Sequence, residues 1–357
     1  MKICILGDSL TSLTLAQNLV NLGIRVDIFS QLKKKGRNYN RTLAISKSNI
    51  DFFNNHILNI EKLLWDIKKI EIFSENLDNE AILNFKNDKD QLFSILKNND
   101  LYKLLYSKLQ KHTFCKFKKN IINQKIIEKN YQLVINCDED NLITKKFFYK
   151  KMIKNYKSYA HTCIIHHKKI SENDKAIQIF TKFGPLAFLP ISNSTTSIVF
   201  SVRGDKNINF RNLIQKYNKF YSIKKFGEIS NFRLVSSNLR NYVYKNYLAF
   251  GDLLHRIHPL AGQGFNMTVR DIQLLHSLIK KRVDLGLPLD ISTALEFEKK
   301  AKAKNFVFSN GIDFIYQFFF FESKTNNSLI SKNISMLGKN KIVNNLFKNF
   351  ANDGLIN

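Results

Sequence analysis

The chain has 357 residues, 44% of them hydrophobic, so it can bury a large interior and is too long for one simple core. It carries 56 Lys and Arg against 29 Asp and Glu, a formal net charge of +27. Its four cysteines, Cys4, Cys115, Cys137 and Cys163, lie far apart without metal-ligand spacing, so neither a disulfide framework nor a structural metal is expected, and the setting is a reducing cytoplasm.

The charge would favour nucleic acid or an acidic membrane surface. The lysines, however, are spread over the whole chain among many Asn and Ile, as codon use in an AT-rich genome produces. No RNA-binding signature and no basic run interleaved with stacking aromatics accompanies them, so nucleic acid is not an expected partner. A membrane-surface role stays open. The densest apolar run, FIYQFFFFES at 314–323, falls short of the roughly 20 residues a membrane-spanning helix needs.

In chain order, KICIL at 2–6 reads as a strand ending at Gly7; Gly and Asp follow it too early for a signal peptide. Residues 10–22 place Leu13, Ala16, Leu19 and Val20 on one helical face closed by Gly23, and IRVDIF at 24–29 is a second strand. This strand, helix, strand order puts the first turn where the phosphates of a dinucleotide lie. KKKGRNYN at 33–40 is a polar loop, SNIDFFNNHIL a short helix, IEIFS and AILNF paired strands, and NNDLYKLLYSKLQ a helix. YQLVINC at 131–137 reads as a buried strand, and four runs between 159 and 203 as a mostly antiparallel sheet. Residues 210–226 read as a helix, NYLAF at 246–250 as a strand, and 291–350 as helix-like alternation.

That last strand delivers the chain into GDLLHRIHPLAGQGFNMTVRD, 251–271. A carboxylate at Asp252, directly after the strand-terminal Gly251, faces the crevice above the sheet and suits a sugar or ribityl chain. Pro259 stiffens the loop, and Gly262 and Gly264 let the backbone approach a flat ligand. The helix beginning near 264 offers unpaired amides and the positive end of its dipole to negative charge on that ligand.

His258, Pro259, Leu260, Ala261, Gly262, Gln263, Gly264, Asn266 and Asp271, with Gly251 and Asp252 upstream, resemble the signature of the FAD-dependent hydroxylases of ubiquinone biosynthesis. These are flavoprotein monooxygenases similar to para-hydroxybenzoate hydroxylase. Thr268 stands where that family has Gly. Gly184, Pro185, Ala187, Leu189 and Pro190 match its substrate-side strand pair, Arg41 its Arg-x-x-Ala-Leu-Ser stretch, and Asn98 with Leu101 and Leu105 its Asn-x-x-Leu helix.

The resemblance implies an α/β chain with a Rossmann-like FAD-binding domain at 1–73, 99–150 and 241–285. It also implies an inserted, mostly antiparallel substrate sheet at 74–98 and 151–240 and a C-terminal helical region at 286–357. It implies hydroxylation of a polyprenylated phenol through a flavin C4a-hydroperoxide, with FAD held by Gly7, Ser9, Ser12, Ser30, Arg41, Asn98, Asp138, Gly251, Asp252, Pro259 and the run Ala261 to Asn266, including Phe265. No protein nucleophile is needed. His258 is a candidate for a proton role beside a loop-shaping one, and His255 is expected at the surface. Implied partners are the phenol, the inner-membrane surface and other quinone-synthesis proteins, with the chain cytoplasmic or peripheral on that membrane.

Two motifs depart from the family. Its Gly-x-Gly-x-x-Gly survives only at Gly7, with Ser9 and Ser12 following, and Ser30 replaces the acid expected for the adenosine ribose. At 136–145 Asp138 remains, but Glu139, Leu142 and Lys145 replace Gly, Ser and Arg of an element that in the family contacts FAD and NADPH. The electron donor is therefore NAD(P)H or an external reductase. A non-catalytic or weakly catalytic binding member of a quinone-synthesis assembly is the alternative.

Overall fold

The structure, a computed structural model, describes residues 1–30, 41–75, 81–86, 91–119, 124–204 and 208–325. The expected loop at 33–40 and the end of the alternation beyond 325 lie outside them.

Lys2–Leu6 (β1), Leu10–Asn21 (α1) and Arg25–Phe29 (β2) form the expected first unit. Thr42–Ser46 (β3) leads into Lys47–His56 (α2), then Trp65–Ile67 (β4), Lys69–Ser74 (β5), Ala81–Lys86 (β6) and Phe93–Lys97 (β7). Asn98–Gln110 (α3), Cys115–Lys118 (β8), Gln124–Asn130 (α4), Val134–Asn136 (β9) and Leu142–Phe147 (α5) return the chain to that unit. Next come Lys151–His167 (β10), Lys175–Thr181 (β11), Gly184–Ser192 (β12), Thr195–Arg203 (β13), Phe210–Tyr217 (α6), Ile223–Phe226 (β14) and Ser230–Leu239 (β15). Val243–Tyr244 (β16), Tyr247–Ala249 (β17) and His255–Arg256 (β18) precede the helices Gln263–Asp284 (α7) and Ile291–Thr325 (α8).

Six strands in the order β16-β17-β9-β1-β2-β8 make the first sheet, parallel from β17 to β8. β1 is apolar without alternation because helices cover both faces. Nine strands make the second sheet, ordered β18-β15-β10-β13-β12-β11-β5-β6 with β14 paired to β10, antiparallel except where β5 joins β11. β3, β7 and β4 form a small third sheet. The fold is thus a Rossmann-like α/β unit with an inserted antiparallel sheet and C-terminal helices, as expected.

Three expectations need correction. β5 pairs with β11 from Lys69 onward, so the large sheet begins before 74, while β7 pairs with β3 and β4 instead of joining it. Residues 210–226 are not one helix. The Asn218 side chain accepts from the amides of Phe220 and Tyr221 and donates to the Tyr221 carbonyl, and this local turn outcompetes the helix before β14 begins. The strand expected over 131–137 is confined to Val134–Asn136, the part that finds partners on both sides.

The alternation of the large sheet separates two faces. Cys163, Ile165, Leu186, Phe188, Ile198 and Phe200 bury one face under α6. The other face meets the first unit and the C-terminal helices, through Phe180, Ile82 and Phe85 against Leu260, Met267, Phe308 and Ile312.

Candidate functional site

Because β17, β9, β1 and β2 run parallel, their carboxyl ends share one edge, and the loops leaving them carry Asp252, Asp138, Gly7 and Ser30 to a common crevice. Gly251 has φ +67°, and a Cβ there would lie 2.6 Å from the Thr11 methyl, so the Gly251–Asp252 turn rests its backbone on α1. Asp252 is exposed, and its carboxylate is hydrogen-bonded to none of the described residues. Asp138 is half-buried beside Gly7; burial raises its pKa, reinforced by Asp140 and Asp8.

Ser9 is exposed and caps α1, its Oγ accepting from the Ser12 amide at 3.3 Å and meeting the Ser12 hydroxyl at 3.1 Å. The serine pair therefore orders the helix start. Ser12 is buried, as close packing of α1 on the sheet requires. Ser30 is half-buried and donates its amide to the Lys118 carbonyl at 3.2 Å. The Asn98 amide donates to the carbonyl of exposed Arg41 at 3.0 Å, which brings these two residues together at one end of β3 and β7.

The second half of the crevice is built by 255–266. Pro259 precedes a 3-10 turn, Leu260–Gly262, whose second residue is Ala261. Gly262 has φ +65°, and a Cβ on it would sit 2.7 Å from that of Ala44, so only glycine lets this turn lie against β3. No side chain caps α7 at Gly262, so the opening turn through Gln263, Gly264 and Phe265 begins without a side-chain acceptor. Asn266 is buried and points inward. Its Oδ1 accepts from the Ser46 amide and Asn49 Nδ2, both at 2.9 Å, and its Nδ2 donates to the Ala44 carbonyl at 3.0 Å. Asn266 thereby pins the start of α7 to β3. Thr268, the departure from Gly, fits by bonding back to the Gly264 carbonyl at 3.4 Å.

His255 is not at the surface. It is buried on β18, its Nε2 lying 2.5 Å from Asp271 Oδ2, while Asp271 Oδ1 accepts from Asn305 Nδ2 at 2.9 Å. This pairing fixes the role of the motif's last residue, Asp271, as a tie between β18, α7 and α8. His258 is also buried, 1% exposed, stacked on Tyr316 at 4.2 Å and edge-on to Tyr156 at 4.9 Å between ring centroids. Among the described residues neither ring nitrogen has a hydrogen-bond partner, and burial pushes its pKa down to about 3, so the imidazole is neutral.

Along β12, Pro185 and Leu189 share the face that looks toward the first unit, whereas Gly184 and Pro190 fall on the opposite one. Leu189 packs with Ile67 and Ile95 of the small sheet. Sequence reasoning missed Tyr156, Asp313 and Tyr316. The Tyr156 hydroxyl donates to Asp313, which Ser236 and Lys154 also reach, and Ser158 lies 3.3 Å from the Tyr316 hydroxyl. No motif marks these residues; only the fold brings β10 and α8 together.

These residues fit an FAD. Two backbone turns approach as only glycine allows, an unpaired carboxylate faces the crevice, and a helix opens on it without a cap. The fit is weaker at the adenine end, where Ser30 holds the position of an acid. Among the described residues no group of His, Cys, Asp and Glu could hold a metal ion.

No family model matches the chain. The 3-demethoxyubiquinol 3-hydroxylase of Escherichia coli is 28% identical over 171 residues, 44% of this chain and 44% of that protein. The chain spans about half the length of the curated relatives it matches. Of solved structures, p-nitrophenol 4-monooxygenase PnpA of Pseudomonas putida superposes with a TM-score of 0.79 at 12% identity, covering 99% of this chain and 98% of that one. HpxO of Klebsiella pneumoniae complexed with FAD and uric acid gives 0.74 at 10% identity, over 99% and 97%. The chain is thus similar in sequence to ubiquinone-biosynthesis hydroxylases and shares the fold of p-nitrophenol 4-monooxygenase and of FAD-bound HpxO.

Proposed function

We propose that the protein is an FAD-dependent monooxygenase that hydroxylates the ring of a polyprenylated phenol in ubiquinone biosynthesis. The observation that carries the reading is the crevice in which the Gly251–Asp252 turn, pressed onto α1, faces the uncapped start of α7, pressed onto β3. Bound there, FAD would supply the oxygen-activating chemistry.

The chain's own residues supply the rest. Asp252 accepts from ribityl hydroxyls, and the start of α1 with the Ser9 hydroxyl faces the pyrophosphate. The amides opening α7 at Gln263 to Phe265 stabilise negative charge on the ring. The wall of Ile82, Phe85, Leu260, Met267 and Phe308 excludes water and offers an apolar path for an isoprenoid tail. On the outer side of α8, Val307, Phe314 and Phe321 fall at heptad spacing and are 53%, 67% and 62% exposed. With a net charge of +27 they suit docking on an acidic membrane, and no described helix is long and apolar enough to cross one.

For the electron donor we favour an external reductase over NAD(P)H. Glu139, in place of glycine, is engaged by Arg256 and by Lys151 at 3.5 Å, so these two cations are neutralised. The same substitution, with Ser30, is what favours the second reading, a non-catalytic binding member of a quinone-synthesis assembly. Deleting the gene and profiling quinone precursors tests the proposal. An accumulating polyprenyl phenol lacking one hydroxyl supports it, and an unchanged quinone pool contradicts it.

A further inference from the structure

We propose that the groove between the end of α2 and the second half of α7 binds a phosphate ester, seated on His276 and drawn in by Lys280 and Lys281. This site lies apart from the cofactor crevice, because His276 stands about 20 Å along α7 from Gln263.

The groove has a volume of about 550 Å³ and opens to solvent between His56 and the α7 side chains. Helix α1 fixes its floor. Asn21 Nδ2 donates to the carbonyls of His56 at 3.1 Å and Ile57 at 2.7 Å, and Asn18 Nδ2 donates to that of His56 at 3.3 Å. These bonds hold the last turn of α2 and satisfy carbonyls that would otherwise oppose a nearby anion. The rings of His56 and His276 then stand side by side, 4.7 Å between centroids. His276 is 8% exposed, and its Nδ1 lies 3.0 Å from Asn18 Nδ2 and 3.2 Å from Oδ1. Because Nδ2 is the nearer atom and is oriented by the His56 carbonyl, it donates to Nδ1, and the ring proton sits on Nε2. Among the described residues Nε2 has no partner, which leaves one N–H of a nearly buried ring for the groove.

Charge selects the occupant. Lys280 and Lys281 line the groove without an ion pair among the described residues, and Asp284, the acid on its rim, offsets only one of them. The positive field reaches the floor, since His56 and Lys280 add to burial in lowering the His276 pKa. The groove lined by Lys2 and Lys245 differs, because Asp27 at 2.8 Å and Glu128 at 3.3 Å already hold those two cations. Donors on the floor and on the rim approach from separate directions, which suits the tetrahedral oxygens of phosphate better than a planar carboxylate. The groove is larger than one such ion, and exposed Leu285 on its rim offers apolar contact, so the anion is carried on an organic group.

The test uses the full chain carrying isotope-labelled histidine and saturated with FAD, and follows the imidazole signals of His56 and His276 by nuclear magnetic resonance. His276→Gln identifies the second ring by its missing signal, and His56→Gln, at an exposed position, identifies the first even where the other variant does not fold. Both rings should shift saturably with glycerol 3-phosphate at constant ionic strength. Lys280→Gln combined with Lys281→Gln should weaken that binding about tenfold, and Asp284→Asn should tighten it about threefold. Acetate binding as tightly as glycerol 3-phosphate, an unchanged affinity in the lysine variant, or no saturable shift would overturn the site. Phosphatidylglycerol vesicles separate the two sources of the phosphate. The lysine variant sediments with them less than wild type where a lipid headgroup fills the groove, and equally where a soluble ester does. The two rings report on the groove with or without FAD, so failure of the functional reading and failure of this site are told apart.

Discussion

Exchanging His258 for Phe keeps an aromatic ring between Tyr156 and Tyr316 and removes the one group there that burial holds neutral. The folded imidazole titrates at about 3, against about 6.5 in an unfolded chain. Between those values the unfolded chain holds a proton that the folded ring refuses. Stability therefore rises with pH across this window and is lost as pH falls through it, by about 1.4 kcal/mol per pH unit. From about pH 6.5 to about pH 5 the wild type should lose about 2 kcal/mol that His258→Phe keeps. Burial also lowers the pKa of His161 and His276, so the wild-type slope alone is steeper, and the difference between the two proteins isolates His258. Urea unfolding at both pH values reads the difference. Parallel pH dependences in the two proteins would refute the burial of a neutral, unpartnered imidazole at this position.

Asn266→Ala leaves the Ser46 amide, Asn49 and the Ala44 carbonyl without their partner and should destabilise the fold by about 2–4 kcal/mol, read by urea unfolding; a loss below about 0.5 kcal/mol would show that Asn266 does not hold α7 to β3. Glu139→Gly frees Arg256 and Lys151 and should speed anaerobic flavin reduction by NADPH at least tenfold in stopped-flow traces, whereas an unchanged rate would show that the ion pairs do not set the choice of donor. Phe314→Glu on the outer face of α8 should abolish co-sedimentation with phosphatidylglycerol vesicles and leave flavin binding intact, and sedimentation equal to wild type would remove that face from the membrane contact.

The parts of the fold written in local pattern were legible beforehand. β1, α1 and β2 follow from an apolar run, a helical stripe and a terminal glycine, and the antiparallel strands from period-two alternation. The stretch 251–266 was legible as a candidate site because its glycines serve backbone approach, which leaves a mark in sequence; Gly251 and Gly262 stand against Thr11 and Ala44. What stayed hidden depends on distant contact. His255 reads as an exposed polar residue until Asp271 and Asn305 of two helices enclose it. The side-chain role of Asn266 was invisible because β3 lies more than two hundred residues away in the chain. Residues 210–226 carry a helical stripe throughout, and only the Asn218 turn and the pairing of β14 with β10 break it. The outer stripe of α8 could have been read from the seven-residue recurrence of Val307, Phe314 and Phe321, but not the inner placement of Phe308 and Tyr316 on the sheet.

Titrating the purified protein with FAD while following flavin fluorescence and absorbance tests the cofactor seat most directly. One FAD per chain is expected to bind with a perturbed flavin spectrum, and Gly262→Val, whose side chain would strike Ala44, is expected to lose that binding while Ser30→Ala keeps it. A wild-type protein that leaves the flavin spectrum unchanged at millimolar FAD, or a Gly262→Val protein that binds as tightly as wild type, would contradict a ring seated against the start of α7.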